Sequence, residues 1–417
     1  MPANRRDFLK QLGTAGIVSL GIAPPAFLSR ATYAFDSSPS SSSSGRVLVL
    51  VQLAGGNDGL NTVVPHGDPE YYKARPGIGI PRPAVLKIDE NLGLHPQMTG
   101  FKELYDEGRL AIVQGVGYPN PDRSHFRSMD IWHSARPDAD YTTDGWLGRG
   151  LELAPLSQAD GLRALALGTN RLPLALLSSK VNVPSVTDLA GYHLDLGSGP
   201  EQIQKLKRRV MGETAANTGS AGPADSTLEF LRKTALTAFS SADRLKEVTA
   251  SYKPAATYPA NGLGERLKTV AQIIAGDLGT RVIFVSLDGF DTHAQQAGAH
   301  QSLLTELSSA VRAFFQDLRG HKLDDRVVLA TFSEFGRRVK ENGSLGTDHG
   351  AASQIFVAGA GVKGGLHGTH PSLTDLVEGD LRFHTDFRSV YATLLTRILR
   401  WPTEAILGGN FPLLDFC

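Results

Sequence analysis

Six side chains of the kinds that hold divalent cations sit in short, glycine-rich turns of this chain. They are Asp58 in Gly55-Gly56-Asn57-Asp58-Gly59, Asp291 and His293 in Gly289-Phe290-Asp291-Thr292-His293, Glu334 in Ser333-Glu334-Phe335-Gly336, and Asp348 and His349 in Gly346-Thr347-Asp348-His349-Gly350. A divalent ion needs several deprotonated oxygen or imidazole ligands converging from different elements, and a mixed carboxylate and imidazole set suits Zn, Mn or Fe better than Ca. Asp291 and His293 are two apart, so on an extended loop they face the same way. Asp348 and His349 are adjacent, point apart, and would serve different ions or different shells of one site. A lone Asp after a strand is usually a turn former or a helix cap. Six such residues in strand-edge turns make that plain account harder to sustain.

A second constellation is Tyr118-Pro119-Asn120-Pro121-Asp122-Arg123-Ser124-His125-Phe126, which follows the apolar run Leu110-Ala111-Ile112-Val113-Gln114. The prolines and Asn120 stop the strand, and Ser124 stands where the next helix starts. A serine there serves as an N-cap. The same geometry also suits a nucleophile, because a helix N-terminus lowers the cost of an alkoxide, more so beside a metal. Both readings stay open. His125, His367 and His370 are further imidazoles that the sequence leaves unassigned.

The elements that must position these groups follow from hydrophobic patterning. Val47-Leu48-Val49-Leu50-Val51 is a continuous apolar run, as in a strand buried on both faces, and it ends in the Asp58 turn. The pattern returns at 281–287 before Asp291, at 327–332 before Glu334, and at 354–358 after His349. Leu304, Leu307, Val311, Phe314 and Leu318 give one apolar helix face, and Phe387, Val390, Tyr391, Leu394, Leu395 and Ile398 another. Ser226-Thr227-Leu228-Glu229 reads as a capping box opening a further helix. Alternating strands and helices predict a three-layer α/β/α fold with a mostly parallel central sheet, whose ligands bind at the carboxyl ends of the strands. Residues 150–280 read as a helical insertion or cap within a domain spanning 46–417.

Composition narrows the function. The 42 Lys and Arg balance the 42 Asp and Glu among 417 residues, and hydrophobic residues make up 41%. That balance gives no general pull toward nucleic acid or anionic lipid. The one cysteine is Cys417, so an intrachain disulfide is excluded and a thiol nucleophile would sit at the chain end. Residues 1–34 resemble a twin-arginine signal peptide, with Arg5-Arg6 ahead of Phe8-Leu9-Lys10 and a Gly/Ala-rich stretch after them. Pro24-Pro25 cuts that stretch short of the ~20 apolar residues of a membrane helix, which argues against a permanent membrane anchor. Cleavage is expected after Ala34, followed by a Ser-rich linker over 35–45. The implied location is periplasmic or secreted, and the implied export partner is the twin-arginine translocase, which carries folded proteins.

Taken in order, the twin-arginine start, Leu53-Ala54-Gly55-Gly56-Asn57-Asp58-Gly59-Leu60-Asn61, Arg123-Ser124-His125-Phe126, Gly289-Phe290-Asp291-Thr292-His293, Ser333-Glu334-Phe335-Gly336-Arg337 and Gly346-Thr347-Asp348-His349-Gly350 resemble the exported bacterial family called domain of unknown function 1501. That family in turn resembles the alkaline phosphatase and sulfatase superfamily. The resemblance implies an alkaline-phosphatase-like fold and a divalent metal, Zn, Mn or similar, held among Asp58, Asp291, His293, Glu334, Asp348 and His349. It further implies Ser124 as nucleophile, and Arg123 or Arg337 against the charged oxygens of a small-molecule or polymer phosphate or sulfate ester. Phe335 stands where the superfamily has a ligand His, and Asp348-His349 offers an alternative Asp-His pair. The formylglycine sulfatase signature is absent. The alternative expectation is a non-catalytic exported binding protein on the same scaffold.

Overall fold

The computed structural model of the chain describes residues 45–154, 162–169, 171–181, 183–186, 248 and 250–417. The expected signal peptide, most of the expected Ser-rich linker and the expected capping box at Ser226 lie outside the described residues. Among the described residues, nine strands form the main sheet. In chain order they are β1 (Val47–Ala54), β2 (Leu110–Gly117), β3 (Ala164–Leu167), β4 (Ser185–Val186), β5 (Val282–Asp288), β6 (Val327–Phe332), β7 (Ser353–Gly359), β8 (Gly365–His367) and β9 (Thr385–Asp386). The sheet order is β8-β2-β7-β6-β1-β5-β3-β4, with β9 pairing on β2.

The central strand β1 is parallel to both neighbours, Leu50 pairing with Phe284 of β5 and Ala330 of β6. Its alternation divides the core in two. Leu48 and Leu50 pack with Ile131 and Trp132 of helix α3, Trp146 of α4 and Tyr391 of α7. Val47, Val49 and Val51 pack on the other face with Phe101 of α2, Leu267 of α5 and Leu304, Leu307 and Val311 of α6. These helices are α1 (Gly59–Thr62), α2 (Thr99–Asp106), α3 (His125–Ser134), α4 (Trp146–Leu153), α5 (Gly262–Ala275), α6 (Gln296–Gly320) and α7 (Phe387–Thr393), the last continuing as a π-helical turn to Leu399. The fold is therefore α/β with three layers, and each fully buried Leu or Val of β1 contributes about 1.5–3 kcal/mol.

Strand β7 is antiparallel to both β2 and β6. The reason lies in its connection. The loop from Ser333 to Ala352 leaves the carboxyl end of β6 and contains no crossover helix, so the chain re-enters the sheet from the edge it left. This keeps Glu334, Arg337, Asp348 and His349 on that edge.

The described part of 150–280 contributes strands to the main sheet. β3 pairs parallel with β5, β4 pairs with β3, and α5 lies in the core beneath them. Edge strands of two to four residues are too short to show a period, so they read as fragments of an insertion. Among the described residues, no helix is long and apolar enough to cross a membrane.

Candidate metal centre

The turn after β1 fixes one wall of the site. Gly55 and Gly56 adopt positive φ of 118° and 79°, and a Cβ on Gly56 would lie 2.2 Å from the Phe335 ring. Only glycine fits such a turn. This close approach lets Arg337 reach across: its guanidinium donates to the carbonyls of Gly56 (2.7 Å), Thr347 (2.8 Å), Phe290 (3.0 Å) and Gly55, and to Asp291 Oδ1 (2.7 Å). With its side chain wholly buried, Arg337 binds three loops to one another.

Around Asp291 Oδ1 gather three imidazoles. His293 Nε2 lies 3.0 Å away, His349 Nε2 3.1 Å and His125 Nε2 3.5 Å, while the Nε2 atoms of His293 and His349 are 2.9 Å apart. The opposite ring nitrogens show which tautomers are present. His349 Nδ1 donates to the Arg123 carbonyl at 2.8 Å, and His125 Nδ1 donates to Glu334 Oε1 at 2.8 Å. Nε2 of each is turned toward Asp291, and that of His125 is buried without a hydrogen-bond partner. His125, Asp291 and His349 each offer one ligand atom within 4.8 Å of the other two, close enough to share a cation. The donor set fits a cation of the Zn class.

Electrostatics point the same way. Burial works to raise the Asp291 carboxyl, but Arg337 and His349 outweigh it and hold it at about 2. Burial lowers the His349 imidazole more than Asp291 and the Arg123 carbonyl raise it, which favours the neutral form that ligates. The side-chain amide of Asn342, then His293, keep Asp348 below the usual carboxylate range. Phe335 packs on His125 and His349 with ring centroids 4.9 and 4.5 Å away, so it orients imidazoles without ligating.

The six expected ligands thus divide. Asp291, His293 and His349 come together. Asp348 stands behind His293, its Oδ1 3.4 Å from Nδ1. Glu334 also stands behind, its Oε1 accepting from His125 and, at 2.8 Å, from the Gly55 N–H. Asp58 is not brought to the cluster. Its carboxylate is buried, paired with Arg75 at 2.6 Å, bonded by Gln296, and caps α1 through Leu60 and Asn61. Burial would raise it, but Arg75 outweighs that and keeps it ionised.

The arginines require correction too. Arg337 is buried and holds loop carbonyls and Asp291, and Arg123 binds Asp380 at 2.7 Å and Glu378 at 3.1 Å through Nε and Nη2 while its carbonyl faces the cluster. Ser124 begins α3, yet its side chain makes no capping bond, and the residue is exposed. His125 is the ligand-type residue that sequence reasoning left unassigned. The available signal was its place directly after Ser124 in Arg123-Ser124-His125-Phe126. His370 lies elsewhere, in a cleft beside Gln114.

Residues 46–399 match the family described as protein of unknown function DUF1501. The chain belongs to that family. No curated protein matches it. Solved structures similar to this DUF1501 chain include the C-terminal periplasmic domain of EcEptC from Escherichia coli in complex with Zn, at 10% identity and TM-score 0.37, covering 78% of this chain and 75% of that one. Another is a protein in the alkaline phosphatase superfamily from Vibrio parahaemolyticus, at 8% identity and TM-score 0.39, covering 92% and 76%. A third is the PsFucS1 sulfatase from Pseudoalteromonas sp., at 11% identity and TM-score 0.37, covering 94% and 75%. Likenesses this remote assign no chemistry to the chain.

Proposed function

We propose that this protein is an exported, metal-dependent hydrolase of phosphate or sulfate esters. The observation that carries the reading is the convergence of three imidazole Nε2 atoms on Asp291 Oδ1. Ser124 lies between two residues that touch the cluster, Arg123 through its carbonyl and His125 through its ring. Export rests on the arginine pair near the start of the chain, and the ester class on the resemblance of the five motifs.

His125, Asp291 and His349 would hold the ion, with His293 against Asp291 and His349. When bound, a divalent cation supplies charge that polarises an ester oxygen and favours a deprotonated hydroxyl nearby. Glu334 and the Arg123 carbonyl fix two of the imidazoles in the ligating tautomer, and Phe335 holds their planes. Ser124 Oγ, at the N-terminus of a ten-residue helix, forms the bond to phosphorus or sulfur as the ester oxygen leaves with a proton. Water then releases phosphate or sulfate and restores the hydroxyl.

The test is metal analysis of the purified protein together with hydrolysis of p-nitrophenyl phosphate and p-nitrophenyl sulfate by wild type, Ser124→Ala and His349→Ala. Bound metal lost in the His349 variant, and turnover lost in both, supports the proposal. No retained metal with unchanged turnover in Ser124→Ala overturns it. One observation favours a second reading, a non-catalytic exported binding protein: the side chains of both arginines expected at the ester oxygens are engaged elsewhere. Metal that raises the melting temperature while every ester is left intact would select that reading.

A further inference from the structure

The segment leading into His125 has no regular structure of its own. Residues 118–124 form neither helix nor strand, so no ladder of backbone bonds sets the direction of the Arg123 carbonyl. That carbonyl accepts from His349 Nδ1 at 2.8 Å. A carbonyl can only accept, so Nδ1 carries a proton, and Nε2 is the atom that faces Asp291 Oδ1 at 3.1 Å.

Arg123 is gripped through its side chain by a hairpin whose strands, Leu376–Val377 and Asp380–Leu381, pair antiparallel. Its two-residue turn has Glu378 and Gly379 at φ of 53° and 86°, the left-handed pair that lets so short a hairpin close. The turn delivers Asp380 to the Arg123 fork. Nε and Nη2 both donate to Asp380 Oδ2, at 2.7 and 2.5 Å, and Nη2 also reaches Glu378 Oε2 at 3.1 Å. Arg338, on the loop that carries Arg337 and His349, donates to the Glu378 carbonyl at 3.1 Å. One hairpin therefore holds both loops. The Asp380 side chain is only 2% exposed. A buried ion pair adds little net stability, because desolvation offsets its attraction, so its value is better sought in the geometry it fixes.

We propose that Asp380 is a positioning residue of the candidate metal centre: through Arg123 it fixes the carbonyl that keeps the His349 proton on Nδ1. The contacts are continuous, from Asp380 Oδ2 to the Arg123 guanidinium, from the Arg123 carbonyl to His349 Nδ1, and from His349 Nε2 to Asp291. Without the carboxylate the guanidinium is released, the 118–124 segment gains freedom to turn its carbonyl away, and the imidazole proton spreads over both nitrogens. A protonated Nε2 cannot ligate, so cation affinity falls with it. That last step rests on the reading of the cluster as a cation site; the place of the proton does not.

The experiment records 15N spectra of metal-free protein labelled with 15N-histidine, at a pH where the His349 ring is neutral, with His349→Gln assigning the signals. In wild type the proton is expected on Nδ1. In Asp380→Ala the Nδ1 and Nε2 signals move toward each other, and competition against a chromogenic chelator shows a Zn dissociation constant raised about tenfold. Asp380→Asn, which keeps an acceptor of the same shape, falls between the two. Arg123→Lys, which keeps the charge and loses the fork, shifts the signals in the same direction and decides the matter if Asp380→Ala does not fold. A purely structural pair would lower the melting temperature and leave the His349 signals in place. Unmoved signals in a folded variant, a wild-type proton on Nε2, or shifted signals with an unchanged Zn dissociation constant overturn the proposal. Wild-type protein that binds no Zn, while the signals shift in the variants, counts against the cation reading and supports the hold of Asp380 on His349.

Discussion

Replacing Glu334 with Gln asks how far cation affinity depends on a side chain that does not face the cation. Glu334 is fully buried, and its Oε1 accepts from His125 Nδ1–H and from the Gly55 N–H, both at 2.8 Å. In the amide, Oε1 keeps both bonds, and the new nitrogen takes the place of Oε2, 3.4 Å from Ser333 Oγ. Shape is conserved and charge is lost. A hydrogen bond to an ionised group contributes about 1.5–3 kcal/mol and a neutral one about 0.5–1.5 kcal/mol, so the contact to His125 weakens by about 1–1.5 kcal/mol. The direction follows from basicity: a carboxylate on Nδ1 strengthens the Nε2 lone pair, and its removal raises the dissociation constant for Zn. At about 1.4 kcal/mol per decade the increase is about tenfold, the lower end of what partners of metal-bound histidines contribute. Competition for Zn against a chromogenic chelator reads the change, with the melting temperature followed in parallel. A dissociation constant within about twofold of wild type, in a folded variant, would refute the reasoning.

Other expectations follow from the same geometry. Asp58→Asn breaks a buried ion pair with Arg75 and should cost about 3 kcal/mol in denaturant unfolding while leaving metal stoichiometry intact; lost metal at unchanged stability would make Asp58 a ligand. Arg337→Met strips a donor from the carbonyls of Gly55, Gly56, Phe290 and Thr347, and should lower stability by more than about 4 kcal/mol. His133 is buried against Gln52, and burial pushes it from 6.5 down to about 3. Below pH 6.5 the unfolded chain binds the proton and the native one does not, so stability is complete above that pH and is lost as pH falls toward about 3. The slope is roughly 1.4 kcal/mol per unit for this one residue. Unfolding measured from pH 7 to pH 4 should therefore be shallower in His133→Gln; an identical slope would show that His133 is protonated in the native state.

What could be read from residues alone was the sheet and the edge that carries the chemistry. The runs at Val47, Val282 and Val327 are apolar on both faces because parallel strands covered by helices must be, and all three prove central. The helix carrying Leu304 and Phe314 was equally plain from its period. Strand direction at Ser353 was not legible, since it depends on a loop that returns to the edge it left. Nor was the division between groups facing a cation and groups standing behind them. Asp58 and Asp291 look alike in sequence, each in a glycine turn after a strand, but Arg75 lies 17 residues along from one and Arg337 lies 46 from the other. Which arginine meets which carboxylate is decided by tertiary packing. His125 was hidden for a related reason: its role depends on Glu334, 209 residues away.

Those long separations carry a consequence for the order of events during maturation. Glu334 joins Gly55 across 279 residues, His349 joins Arg123 across 226, and Arg337 joins Gly55 across 282. No early fragment of the chain owns more than a portion of the binding pole, and the last portion arrives only when β7 docks between β2 and β6. On the proposed reading, a half-finished polypeptide would have little hold on a cation, and loading would be a seal set on completed folding, its binding energy adding to native stability at the final step.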